Sequence, residues 1–316
     1  MATPASTFAP AAELSCDDGA FESCDVYVAR AGPVPVTLAL RNLLIATAVA
    51  ATIAAIPRIA RSAELPLWEA GAGIAVFDFP DYRGSDERHT LILPIPYLVY
   101  RGDFLKADRD NIRGQFYKDN RLDLHLSVNG SIPVESSENS ARQGMPDLDP
   151  TLEIGPNLTV MLLRSDTMHL ALRLPVRAVI ATDLSYVRYV GWVFEPQINV
   201  DFYDRFPGPG WNLGFAAGPL FGDQRYHNYF YGVAPQFATS VRPAYEAGSG
   251  YSGAQLVASL SKRYPSYWVG GFMRADTLSG AVFETSPLVR QKEAFSIGVA
   301  ASWIFSRSSQ RVNVDE

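Results

Sequence analysis

The chain has 316 residues, a formal net charge of -6 and 47% hydrophobic residues, with a mean hydropathy of +0.00. That balance excludes a disordered chain and a bundle of apolar membrane helices, and an acidic excess without a Lys/Arg cluster speaks against nucleic acid as a partner. Seventeen Phe, fifteen Tyr, five Trp, 24 Gly and 22 Pro favour strands and turns, so the expected class is all-β.

Residues 1–35 mix Pro, Ala, Ser and acids and match no folded element; they read as a non-native or disordered extension, with translation starting near Val36. Arg41 precedes an apolar run of about fourteen residues at 43–56, followed by Pro57 and Ala60-Arg61-Ser62-Ala63. A basic start, a short apolar core and a small-x-small site describe a secretory signal peptide, and the run is too short to span a bilayer. Cleavage is expected between Ser62 and Ala63, which makes residues 36–62 the signal and places both cysteines, Cys16 and Cys24, upstream of the mature chain. A cysteine-free mature chain fits passage through an oxidising periplasm.

Alternation of apolar and polar residues then recurs at 68–77, 91–100, 121–131, 151–163, 169–178, 191–201, 211–221, 253–262, 267–278 and 294–305. A period of two means a strand with one apolar face. Each run approaches the 9 to 11 residues that cross a bilayer at a tilt, longer than the usual strand of a soluble sandwich. The last run is the clearest, with Phe295, Ile297, Val299, Ala301, Trp303 and Phe305 set against Ala294, Ser296, Gly298, Ala300 and Ser302. The expected architecture is a transmembrane antiparallel up-and-down β-barrel over 63–305, with about ten strands and a polar tail at 306–316. The connections at 79–89, 132–150, 181–190, 223–250 and 280–293 are long; those at 164–167, 205–210 and 263–266 are short, as barrels require. Only 101–120 breaks the pattern, and if it contributes strands the count becomes twelve.

The five tryptophans, Trp68, Trp192, Trp211, Trp268 and Trp303, fall near strand ends and are expected to form the aromatic girdle at the membrane interface. Glu153, Arg173, Arg177, Glu195, Gln197, Asp201, Arg274 and Asp276 fall on the inner face. Opposed charges in a lumen this narrow should pair, leaving it largely filled by polar side chains.

Several strings carry a family resemblance: Phe79-Pro80-Asp81-Tyr82-Arg83-Gly84-Ser85, Leu93-Pro94-Ile95-Pro96, Gly144-Met145-Pro146-Asp147-Leu148-Asp149-Pro150, Tyr231-Gly232-Val233, and Ser286-Pro287-Leu288-Val289. In their order and spacing, as in the stretch from Ala244-Tyr245 to Gly250-Tyr251, the chain resembles the MipA/OmpV family of outer-membrane proteins over roughly 67–305. The resemblance implies a barrel in the outer membrane of a Gram-negative cell, reached through the periplasm and surrounded by lipid. It also implies a scaffold that binds a murein lytic transglycosylase and a bifunctional penicillin-binding protein, so that peptidoglycan cutting and building are linked. Other members are described as adhesins or immunogenic surface proteins, and a surface adhesin or a small gated channel are the alternatives. Barrels of this kind usually end on the aromatic residue that the outer-membrane assembly machinery reads. Here Phe305 would be that insertion signal, although 306–316 follow it.

No enzymatic motif emerges. There is no G-x-S-x-G string, and the candidate bases are His89, His125, His169 and His227. His125 and His169 fit hydrogen-bonded lumen residues, while His89 and His227 fall in loops and are expected to be solvated. Asp147 and Asp149 are weak candidates for a surface Ca²⁺ or Mg²⁺ site, but turn capping explains them equally well. No cofactor is expected.

Overall fold

The computed structural model describes residues 63–314, apart from 102–104, 108–111, 184 and 205. The ten alternating runs all form strands, and the stretch at 101–120 adds a hairpin. In chain order the strands are β1 (Ala63–Pro66), β2 (Trp68–Pro80), β3 (Arg88–Arg101), β4 (Leu105–Ala107), β5 (Ile112–Lys118), β6 (Leu122–Ser131), β7 (Thr151–Ser165) and β8 (Met168–Thr182). They continue as β9 (Val187–Phe194), β10 (Gln197–Tyr203), β11 (Trp211–Gly222), β12 (Gly250–Arg263), β13 (Tyr267–Thr277), β14 (Glu293–Arg307) and β15 (Arg311–Val314). One helix, α1 (Gln224–Tyr231), lies in the β11–β12 connection.

Thirteen strands, β2 to β14, form one antiparallel sheet, and β14 pairs back onto β2. β9 and β10 pair in turn with β8 and with β11. They act as two halves of one wall strand, interrupted at Glu195 and Pro196, where a proline removes a ladder donor. The wall therefore has twelve strand positions rather than ten. The preferred count fails because the β4–β5 hairpin is too short, and too broken by charged residues, to register as alternation.

That hairpin also leaves the wall incomplete. β3 and β4 share two residue pairs, β4 and β5 three, and β5 and β6 three, all at the short-turn end. Among the described residues no ladder joins the upper part of β3 to the upper part of β6, so the ring of hydrogen bonds is continuous only at its lower rim. Beyond that rim, β1 pairs with β15, joining Ala63 to Val314 and Pro66 to Arg311. The stretch assigned to a polar tail thus includes the end of β14 and a paired strand.

The two faces of the wall obey the alternation. On β14, Phe295, Val299, Trp303 and Phe305 are 63%, 55%, 63% and 68% exposed, whereas Ala294, Ser302 and Ile304 are buried. Ile74, Ile92, Leu98, Ile198, Leu256 and Met273 continue the exposed apolar surface. Water would not tolerate so broad a band of large apolar side chains, but lipid does. Val299→Arg places a cation near the middle of that band and is expected to cost about 2–4 kcal/mol. A reduced yield of the heat-modifiable, folded form on gels would report it.

Candidate functional site: the capped lumen

The long connections are packed onto one another at one end of the barrel. Tyr82 comes from the β2–β3 loop, Val134 and Leu148 from β6–β7, Tyr231, Val233 and Ala247 from β11–β12, and Leu278, Phe283 and Leu288 from β13–β14; all are buried in one cluster. Phe283 is 0% exposed and stacks on Tyr231 with centroids 3.7 Å apart at 9°. Polar bonds fasten the same loops: the Tyr231 hydroxyl donates to Arg83 O (2.8 Å), Ser286 to Tyr231 O (2.7 Å) and Tyr82 to Leu288 O (2.9 Å). Asp223 caps α1 through Tyr226 N. The capped turn rests on Gly191, where a Cβ would lie 2.2 Å from the Asp223 carboxylate and 2.7 Å from Tyr226 N.

Under this cap is a chamber of about 350 Å³. Two charge clusters line it. On one wall Arg177, from β8, donates to Glu153 of β7 (2.9 Å) and to Glu195, which also accepts from Gln197 (2.6 Å) and Gln255. On the other, Asp276 of β13 accepts two bonds from Arg274 (2.7 Å each) and one from Arg83 (2.8 Å). Arg83 reaches down from the β2–β3 loop and also donates to Ser252 O (3.0 Å). Of the inner-face charges expected from the sequence, Glu153, Arg177, Glu195, Arg274 and Asp276 are thus paired, as burial demands.

Below it, Phe77 and Phe272 form a waist, with centroids 6.2 Å apart. Only glycine fits opposite them: a Cβ on Gly298 would lie 2.5 Å from the Phe272 ring and 2.7 Å from Phe77. Phe272 lines both the upper chamber and a lower one of about 400 Å³, whose walls include Tyr97, Ser259, Ser261, Trp268 and Ser302. The floor is a third charge cluster, in which Glu69, 0% exposed, accepts from Arg263 (2.5 and 3.1 Å) and lies 3.5 Å from Arg101.

Of the histidines, His125 is buried, bonded to Asp123 (3.2 Å) and Asn157 (3.0 Å), and His169 packs edge-on against Tyr203 at 4.9 Å. His227 corrects the expectation of a solvated loop residue, for it is 0% exposed. Its Nδ1 donates to Gly248 O and its Nε2 accepts from Ser252 Oγ, both at 2.6 Å. Ser252 with His227 has the look of a nucleophile and base, but Ser252 is 1% exposed and sealed beneath the cap. Burial lowers the His227 pKa from its ordinary 6.5, with Gly248 and Asp223 opposing and Arg83 adding to the effect. A group held neutral in the fold contributes fully above its unfolded pKa and loses that contribution as pH falls below it. The cap is therefore expected to loosen as pH falls below about 6.5, read as faster proteolysis within 223–249, and His227→Gln should flatten that pH dependence.

The remaining sequence expectations are distributed as follows. Trp68 and Trp211 start β2 and β11; Trp303 is 63% and Trp192 40% exposed. Trp268 is on the inner face, packed against Tyr97, Val99 and Ile304, and so leaves the outward girdle. The Asp147 carboxylate accepts from Ser136 N (2.7 Å), and that of Asp149 from Tyr186 (2.5 Å) and Arg188 (3.4 Å). Each is thus engaged with protein donors; among the described residues no three metal-ligating side chains cluster. The extension, the signal peptide and Ser62 lie outside the described residues, while Ala63 opens β1. Sequence reasoning missed the roles of Arg83, Glu69 and Phe283; an arginine between Tyr82 and Gly84 in a loop gives no sign that it reaches β12 and β13.

A meander of long antiparallel strands with an apolar outside, a charged inside and loops gathered at one end defines an outer-membrane β-barrel protein. A family model described as "MltA-interacting protein MipA" matches residues 72–305. The chain belongs to that family. No curated protein matches it. Similar solved structures include the NanC porin, 6% identical over 76% of this chain and 99% of that one with a TM-score of 0.34. A bacterial polysaccharide outer membrane secretin is 9% identical over 75% and 99% with a TM-score of 0.40. The outer membrane protein OprG from Pseudomonas aeruginosa is 8% identical over 77% and 95% with a TM-score of 0.20.

Proposed function

We propose that this barrel is a structural adaptor that holds peptidoglycan-processing enzymes at the outer membrane, a murein lytic transglycosylase and a bifunctional penicillin-binding protein among them. The observation that carries this reading is the obstructed lumen: paired charges at two levels, an aromatic waist and a packed cap favour an anchored surface over an open passage. The description of the family as MltA-interacting supports the choice of partner. By the usual asymmetry of such barrels, the long loops face outward and the short turns face the periplasm. The β1–β15 ribbon and the β4–β5 hairpin would then lie on the side where those enzymes work. Phe305, exposed on β14, would be the signal by which the assembly machinery receives the chain.

Purified barrel is expected to co-precipitate both enzymes from solubilised envelopes, and removal of the β1–β15 ribbon is expected to weaken that capture. Failure of the intact, folded barrel to retain either enzyme would overturn the adaptor. A channel is the rival reading, favoured by the two chambers that share Phe272. Stable open steps in planar bilayers would support it, whereas the obstructed lumen predicts silence.

A further inference from the structure

We infer that the chamber under the cap is a binding site for a small zwitterion, a molecule of about dipeptide size carrying one carboxylate and one ammonium group. The inference goes beyond the adaptor reading and does not depend on it.

Its basis is how the chamber's charges are divided. On the β13 side, the guanidiniums of Arg83 and Arg274 share the single carboxylate of Asp276, an excess of one positive charge. On the side formed by β7, β8 and the break between β9 and β10, the guanidinium of Arg177 is shared by the carboxylates of Glu153 and Glu195, an excess of one negative charge. Both clusters line the same cavity, and β11 and β12 separate them around the wall. The two clusters together are thus neutral but polarised across the chamber's width; Asp81, which also lines it, is paired with His89.

A bare anion drawn to Arg83 and Arg274 would face the surplus carboxylate, and a bare cation would face the surplus guanidinium. A zwitterion laid across the chamber satisfies both at once, with its carboxylate towards Arg83 and Arg274 and its ammonium towards Glu153 and Glu195. Enclosure raises the value of that match, because charges shielded from water interact more strongly.

Two further features agree. The Nη2 of Arg83 is buried and has no hydrogen-bond partner, and a buried donor left unpaired costs about 1–3 kcal/mol. A ligand carboxylate beside Asp276 would supply the missing acceptor. The volume, about 350 Å³, falls in the ~300–1,000 Å³ range of small-molecule sites. Tyr226, Phe230 and Tyr231 close the chamber from above and Phe272 from below, giving an apolar body to contact between the two charged ends.

The test titrates the folded full-length barrel in detergent with three probes: alanylalanine, its N-acetyl form and its C-terminal amide, read by calorimetry and by ligand-observed NMR. Alanylalanine is expected to bind, and each blocked form to bind about tenfold or more weakly. In Glu153→Gln, checked for folding by its heat-modifiable mobility, alanylalanine should weaken. The N-acetyl form, a bare anion that no longer faces a surplus carboxylate, should bind that variant more tightly than it binds the unaltered protein. Equal binding of all three probes would overturn the site, and so would the absence of binding up to about 10 mM. No partner enzyme enters the assay, so its outcome is separate from that of the co-precipitation.

Discussion

Arg177→Met is expected to destabilise the barrel by about 3–5 kcal/mol, the usual cost of stripping one partner from a buried ion pair. Glu153 and Glu195 are then left as neighbouring carboxylates without their shared guanidinium; their side chains are 11% and 9% exposed in the native wall. Met matches the bulk of the Arg stem, so the loss is electrostatic rather than a cavity. A lowered temperature for conversion of the compact to the extended gel form would measure it. Changing both Glu153 and Glu195 to Gln in the same chain should recover most of the loss, because the uncompensated charge and not the missing contact is the source. Full stability in the single variant would show that water reaches this cluster freely.

Phe283→Ala carries an effect of similar size in a different part of the molecule. Phe283 is fully buried, stacked on Tyr231 and 4.8 Å from the His227 ring, and removing such a ring from a core costs about 3–5 kcal/mol. The wall owes nothing to this contact, so the loss should be confined to the cap. Loops 132–150 and 223–249 should become protease-sensitive while the strands stay protected and the gel mobility of the folded form is kept. If the barrel itself melts earlier, cap and wall fold as one cooperative unit.

The strands were legible because a wall between lipid and a polar lumen forces a strict period of two, and β14 shows it in nearly every residue. The charge pairs of the inner face were legible for the same reason: parity placed Arg177, Glu153 and Glu195 inside, and burial then required partners. What hid β4 and β5 is their brevity, together with Asp103, Asp108, Arg109 and Asp110 around them, which leave no apolar face long enough to recognise. Trp268 was misplaced by reading residue type ahead of parity. It shares its phase with Arg274 and Asp276, so alternation already put it inside, opposite the outward Tyr267. The cap was illegible in principle. Leu278, Phe283 and Leu288 have no period, and their burial comes from meeting three other loops far apart in the chain. His227 and Arg83 belong to the same lesson, since a loop residue looks solvated until the segments that cover it are known.

The ladder between β14 and β2 joins the two ends of the wall, pairing Ala72 with Trp303. Over so long a separation the logarithmic part of the loop-closure cost is about 5 kcal/mol, far more than the hairpins elsewhere in the wall incur. That seam does not stop at the rim: Leu67 N bonds to Gln310 O and Ser308 N to Trp68 O (2.9 Å each), and the β1–β15 ribbon adds four more residue pairs. The costliest joint in the chain is thus also one of the longest, and the ribbon acts as a clasp that raises the barrier to reopening the ring once the first and last wall strands have met.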